Sequence, residues 1–259
     1  MIIDTDMHSH VSRSSALQMV QSAKQKGLRV LGLSEHIFQM EETRPALHHL
    51  GLEGPLLTFN KYINAVRTTA ASQSNVDVRL GLEVDFIPGK NELIHAFIQE
   101  YNWDFLIGSV HEIDGVQFEA NHTWSREEGE ALWLQYFELL RGVVISGHFS
   151  LVSHPVRLRV NNPYLPPTFD EELEQLAAEA THNDVALEIN GYDVLHYYSL
   201  VRRLAKACVL HHTPISVGSD AHSPKALAQA HQPTEDILRE VGITKIRLWK
   251  RMKAEEYFI

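Results

Sequence analysis

The feature that most constrains this chain is a rhythm. Short β-prone runs recur along its 259 residues, helical stretches separate them, and run after run ends in His, Asp or Glu. The first run, residues 2–10, closes with Asp6, His8 and His10, and the second, 28–36, with Glu35 and His36. The third, 76–86, carries Glu83 and Asp85, and the fourth, 105–111, ends at His111. A short fifth, 151–154, ends at His154; the sixth, 185–190, holds Glu188 and Asn190; the seventh, 215–219, leads into Asp220 and His222. Strands alternating with helices predict a parallel sheet, either doubly wound or closed into a barrel. In both arrangements the strand C-termini share one face, where such folds carry their sites. Residues two apart on a strand point the same way, so Asp6, His8 and His10 project together.

Helices are predicted over 15–26, 59–72, 91–101, 125–145, 169–183, 198–212 and 234–241. Ser125 reads as an N-cap, with Glu127 and Glu128 complementing the dipole of the first turn. Residues 146–149 read as a helix stop. The stretch 37–58, with Pro45, Gly51, Gly54 and Pro55, reads as an insertion of loop or short helices over one end of the fold. Residues 245–249 read as a last strand, and the tail to 259 as a docking helix, an oligomer contact or a segment packed on the barrel. No repeat or composition break marks a boundary, so one domain over 1–259 is expected.

A hydrophobic content of 44% and a charged content of 22% are those of a globular protein with a sizeable core. The net charge of -10 argues against non-specific binding to nucleic acid or anionic membranes. It would also repel a phosphate substrate unless bound cations reverse the local field. The one cysteine, Cys208, excludes an intrachain disulfide and fits a reducing compartment. Asp4 and Asp6 interrupt any apolar signal segment, and no run of about 18 apolar residues occurs. A cytoplasmic protein with neither a membrane nor a nucleic-acid partner is expected; oligomerisation stays open.

Sixteen histidines are many for this length. A lone His after a strand is more often a capping or surface residue than a ligand, but recurrence at one structural position is hard to explain by packing. Burying these imidazoles and carboxylates together is costly without a cation. The donor set suits Zn, Mn or Fe rather than Ca or Mg alone. It exceeds what one tetrahedral ion can use, so two or three divalent ions are expected. Ions about 3.5–4 Å apart suit hydrolysis of phosphate esters.

The segments Asp6–His10, 34–36 (SEH), 81–89 (GLEVDFIPG), 107–115 (IGSVHEIDG), 153–155 (SHP), 188–190 (EIN) and 218–224 (GSDAHSP) resemble the polymerase and histidinol phosphatase (PHP) family, most closely its histidinol-phosphatase branch. The resemblance spans residues 6–224 in order and spacing. It implies a distorted (β/α)7 barrel with a metal cluster at the C-terminal ends of the strands. It implies one ion held by His8, His10, Glu83 and Asp220. A second is implied on Glu83, His111 and His154, with Glu83 bridging, and a third on His36 and His222. His148 competes with His154; the strand end at 154 favours the latter. The family supplies a carboxylate or His to the third ion five or six residues after the second His of the opening motif. Here those positions are Ser15 and Ala16, so a third ion is weak, differently held or absent.

The resemblance further implies a phosphomonoesterase acting on a small phosphorylated substrate, first L-histidinol phosphate, through a hydroxide held between two ions. The other readings are a phosphoesterase for a different ester, a cyclic phosphodiester or an oligonucleotide, and a non-catalytic metal-binding module. Glu83 is the expected catalytic bridge. Arg157 is the expected phosphate clamp, because a guanidinium matches phosphate in bidentate fashion; Arg159, Arg13 and Arg44 are weaker candidates. Asp6 and Glu35 are expected to orient ligating imidazoles. Asp85 and Asn190 are given only pocket-lining roles. The eight histidines at 48, 49, 95, 122, 182, 211, 212 and 231 are expected to be solvated or structural.

Overall fold

The computed structural model describes residues 2–73, 75–120 and 122–259. In chain order its strands are β1 (Thr5–Asp6), β2 (Val30–Leu33), β3 (Asp77–Asp85), β4 (Phe105–Ser109), β5 (Glu112–Ile113), β6 (Val116–Gln117), β7 (Leu151–Val152), β8 (Ala186–Asn190), β9 (Ile215–Gly218), β10 (Lys245–Lys250) and β11 (Lys253–Phe258). Seven of them form one parallel sheet in the order β1-β2-β3-β4-β7-β8-β9. The sheet's two ends meet through backbone bonds from Met7 N to Val217 O (3.0 Å), Asp220 N to His8 O (2.8 Å) and His10 N to Ala221 O (2.9 Å). Ser9 and Ala221 bridge in parallel. The chain is thus a distorted (β/α)7 barrel, as the resemblance implied.

The helices are α1 (Ala16–Gln25), α2 (Arg44–Leu47), α3 (Phe59–Ser72), α4 (Asn91–Ile98), α5 (Arg126–Ile145), α6 (Phe169–His182), α7 (Gly191–His211) and α8 (His231–Val241). Side chains that satisfy free N–H groups start several of them. Ser15 caps α1, Thr58 caps α3 and Asn190 caps α7. Ser125 and Glu128 cap α5 reciprocally in a capping box. Two apolar clusters hold the helices to the barrel. One gathers Trp133, Phe137, Phe169 and Leu204 from α5–α7. The other gathers Met19, Phe59, Tyr62 and Ile98 from α1, α3 and α4. Each such side chain contributes about 1.5–3 kcal/mol by leaving water.

Three expectations shift. The first strand narrows to Thr5–Asp6, because the Asp6 carboxylate accepts from the N–H groups of His8, Ser219 and Ala228 and turns the chain out of the ladder. α4 stops at Ile98, where the Trp103 indole donates to the Ile98 carbonyl at 2.9 Å. α7 starts at Gly191, seven residues before the predicted 198, and absorbs a kink at Tyr197 (φ -134, ψ 38). The tail packs on the barrel as expected of it, not as a docking helix but as an antiparallel hairpin of β10 and β11. Its two turn residues, Arg251 and Met252, both have positive φ (52 and 60), the twist that suits a two-residue hairpin. The turn docks on Asp104 through Arg251 N and Met252 N, at the end of the barrel opposite the site. Among the described residues no helix is long and apolar enough to cross a membrane.

Candidate metal centre

The strand ends bring the predicted side chains together in three facing sets. His8 Nε2 lies 3.2 Å from Glu83 Oε2 and 3.7 Å from Asp220 Oδ1. His10 Nε2 lies 3.6 and 3.2 Å from the same two oxygens. On the other side of the glutamate, Glu83 Oε1 is 3.5 Å from His111 Nε2 and 3.2 Å from His154 Nε2. His36 Nε2 and His222 Nε2 face each other at 3.4 Å. Donors about 2.1 Å from one cation at tetrahedral angles stand about 3.4 Å apart, so each set has the spacing of a coordination shell. Glu83 turns one oxygen to each of two sets. His148 is not in the cluster: its ring stacks on His95 at 3.9 Å, away from the site.

The orphaned atoms point to cations. His8 Nε2 and Glu83 Oε2 are buried with no aligned hydrogen-bond partner, although they stand 3.2 Å apart. Buried polar groups that aim at a common point rather than at one another fit a shared ion. The packed imidazoles and carboxylates also shift one another's titration. Burial opposes charge at His10, but Asp220, Glu35 and Glu83 raise its pKa to about 9. Burial likewise opposes ionisation of Glu83, yet His36, His8, His111 and His154 hold its carboxyl well below the usual range.

A second layer orients the imidazoles. Asp85 Oδ1 sits 2.7 Å from His111 Nδ1, more than the pocket-lining role expected of it. Glu188, to which the sequence reading assigned no role, contacts His8 Nδ1 at 2.8 Å and accepts from His154 N at 2.9 Å. Gly218 is required beside them, since a Cβ there would collide with His8 Cβ and Glu188 Oε1. Asp6 braces backbone rather than a ring. Glu35 Oε1 stands 3.6 Å from His10 Nδ1 and accepts from His36 N. His154 and Asp220 have positive φ (32 and 56), backbone strain of the kind stored at functional sites.

The arginines separate. Arg157 is buried and lines the cleft over the cluster. Its guanidinium donates to Asp193 (2.7 Å), Asn190 (3.0 Å), Asp220 (2.6 Å) and Glu119 (3.2 Å) and lies over the Tyr192 ring. Arg13 reaches the rim, donating to the Glu53 carbonyl. Arg159 lies over Tyr197 and does not line the cleft. Arg44 turns inward and clamps four carbonyls of the insertion, those of Phe38, Leu47, Leu50 and His48. Ser15 is exposed, its hydroxyl engaged as the α1 cap, so neither of the two positions after the opening motif offers a donor. The cleft, about 340 Å³, is walled by Phe38 and residues 50–53 of the insertion and by Gln117 and Glu119. Sequence reasoning missed Glu53 and Glu119, because no strand end or motif marks them.

The PHP domain family matches residues 4–191, most of the barrel. The chain belongs to the PHP domain family. It is 29% identical over 256 residues to a probable histidinol-phosphatase of Deinococcus radiodurans, covering 93% of this chain and 94% of that one. It is 24% identical over 248 residues to a probable phosphatase of Clostridium botulinum, covering 93% and 87%. In fold it matches the histidinol phosphate phosphatase of Lactococcus lactis, solved with zinc, L-histidinol and phosphate, at a TM-score of 0.79 and 19% identity, over 98% of this chain and all of that one.

Proposed function

We propose that this PHP protein is a metal-dependent phosphomonoesterase, with L-histidinol phosphate as its first substrate. The observation that carries this reading is the pair of donor sets joined by the two oxygens of Glu83 at the floor of a cleft. His8, His10, Glu83 and Asp220 would hold one divalent ion, and Glu83, His111 and His154 a second. Such ions, when bound, supply Lewis-acid charge and lower the pKa of water enough to make it a nucleophile.

The chain's own residues do the rest. Glu188 and Asp85 fix which ring nitrogen of His8 and His111 faces the floor. Arg157 holds Asp220 in place and offers a phosphoryl group the Nη1 edge that now rests on Glu119. Glu119 gives the cleft wall a carboxylate suited to a leaving group that carries an ammonium. The named relatives and the structural neighbour with L-histidinol and phosphate support the choice of substrate.

The test is phosphate release from a panel of esters by protein loaded with Zn, Mn or Fe. L-Histidinol phosphate should exceed generic phosphomonoesters in kcat/KM by at least tenfold. Equal rates would sink the substrate and leave the reaction class. Bound metal without turnover of any phosphomonoester, phosphodiester or oligonucleotide would leave a binding module.

A further inference from the structure

His36 and His222 face each other with His10 as their nearest strand-end neighbour, but His10 Nε2 is already turned to Glu83 and Asp220. A carboxylate donor for the pair arrives from the insertion. Glu53 Oε2 is buried and accepts no aligned hydrogen bond, yet it stands 2.7 Å from His222 Nε2 and 3.8 Å from His36 Nε2. The three atoms form a triangle with sides of 2.7, 3.4 and 3.8 Å. That triangle fits around one cation with N and O donors about 2.0–2.2 Å away. His36 is turned for this: its Nδ1 lies 2.7 Å from Glu83 Oε2, which leaves Nε2 directed at His222 and Glu53.

The loop that carries Glu53 is built to hold it there. Its N–H donates to the buried Gln39 side chain at 2.7 Å. Gly54 packs so closely on Ser12 that a Cβ would collide with the Ser12 carbonyl. Arg13 reaches back to the Glu53 carbonyl. These contacts tie the middle of the insertion to the opening loop, beside the rings of His36 and His222.

We propose that Glu53 is the carboxylate ligand of a third divalent cation, held with His36 and His222, and that this ion fastens the 37–58 insertion over the cleft. The inference rests on the metal centre proposed above. A stretch far from the opening motif therefore supplies the donor that Ser15 and Ala16 do not.

Zinc bound after dialysis should be counted on the intact protein and on Glu53→Gln, which keeps the shape and loses the charge. Three ions per chain should fall to two in the variant, and anomalous scattering at the zinc edge should show the lost peak between residues 36, 53 and 222. In the parent protein, zinc should slow proteolysis within 37–58 by tenfold or more; in Glu53→Gln it should not. Glu53→Asp, which retains a carboxylate, should keep at least partial third-site occupancy, and circular dichroism establishes that each variant is folded. Three ions retained in Glu53→Gln, or two in the parent with none beside Glu53, would overturn this inference and leave the two-ion centre standing. No bound zinc in the parent would instead remove the metal centre itself.

Discussion

The rim of the barrel and the insertion above it meet at one cluster but are made in different ways. Rim donors are set by the parallel ladder: once β3 is in register with β4, Glu83 beside Ile107 and Asp85 beside Ser109, both carboxylates turn to the site. The insertion has no ladder beyond a single bridge between Met40 and Leu57. It consists of two 3-10 turns and a one-turn helix, and its shape depends on side chains, chiefly Arg44 and Gln39, that bind its own carbonyls and N–H groups. The first design is periodic and gives the same answer at every strand. The second is a set of individual contacts, each of which must be right.

The sharpest test of the rim is Glu83→Ala. It removes both facing oxygens at once, so two donor sets lose a member. Zinc content should fall by two ions and phosphatase activity by more than about 10³-fold, beyond the cost of deleting a single stabilising donor. Retention of even a tenth of the activity would mean that the rim is not the site. Glu188→Gln comes next, because this side chain alone braces both His8 and the backbone of His154. Loss of such an outer contact costs about 10–100-fold in metal affinity, read by competition with a zinc chelator.

This contrast decides what could be read from residues alone. His8, His10, His36, Glu83, His111, His154, Asp220 and His222 each fall at or just beyond a strand end, and alternation in a parallel sheet was enough to place them on one face. Glu188 carried the same signal, two residues before Asn190, but its task depends on which ring it meets, and that is a distance across the barrel. Glu53 carried no signal: it lies between glycines and prolines, and only the docking of Gly54 on Ser12 brings it to the histidines. The start of α7 carries no periodic signal for a related reason. Gly191 and the kink at Tyr197 break the periodic pattern, while the Asn190 cap that begins the helix also serves the site through Arg157.

A smaller effect separates the rim from what supports it. The Tyr62 hydroxyl donates toward the Leu33 and Gly81 carbonyls and accepts from Glu35 N, joining α3 to the end of β2 and the middle of β3. Tyr62→Phe removes these buried contacts, at a cost of about 1–3 kcal/mol. For a chain of this size that is a fall in Tm of roughly 2–12 °C. Metal content should be unchanged, because no donor moves. A loss of zinc would mean that rim geometry depends on α3 as well as on the ladder.

The smallest effect on global stability should come from Arg44→Met, and it bears most directly on the insertion. Arg44 is the hub of that segment, with four carbonyls converging on one guanidinium, yet the barrel strands do not depend on it. The substitution keeps the apolar stem and removes the donors. Unfolding in urea should then shift by less than about 1 kcal/mol, since the bonds lost are local and partly solvated. Cleavage within 37–58 should rise severalfold, and KM should rise while kcat holds, because Phe38 and residues 50–53 wall the cleft and none of them is among the donors joined by Glu83. If kcat fell as much as kcat/KM, the insertion would be part of the chemistry and not only of its enclosure. The division between a periodic rim that reacts and an individually tied loop that encloses would then have to be redrawn.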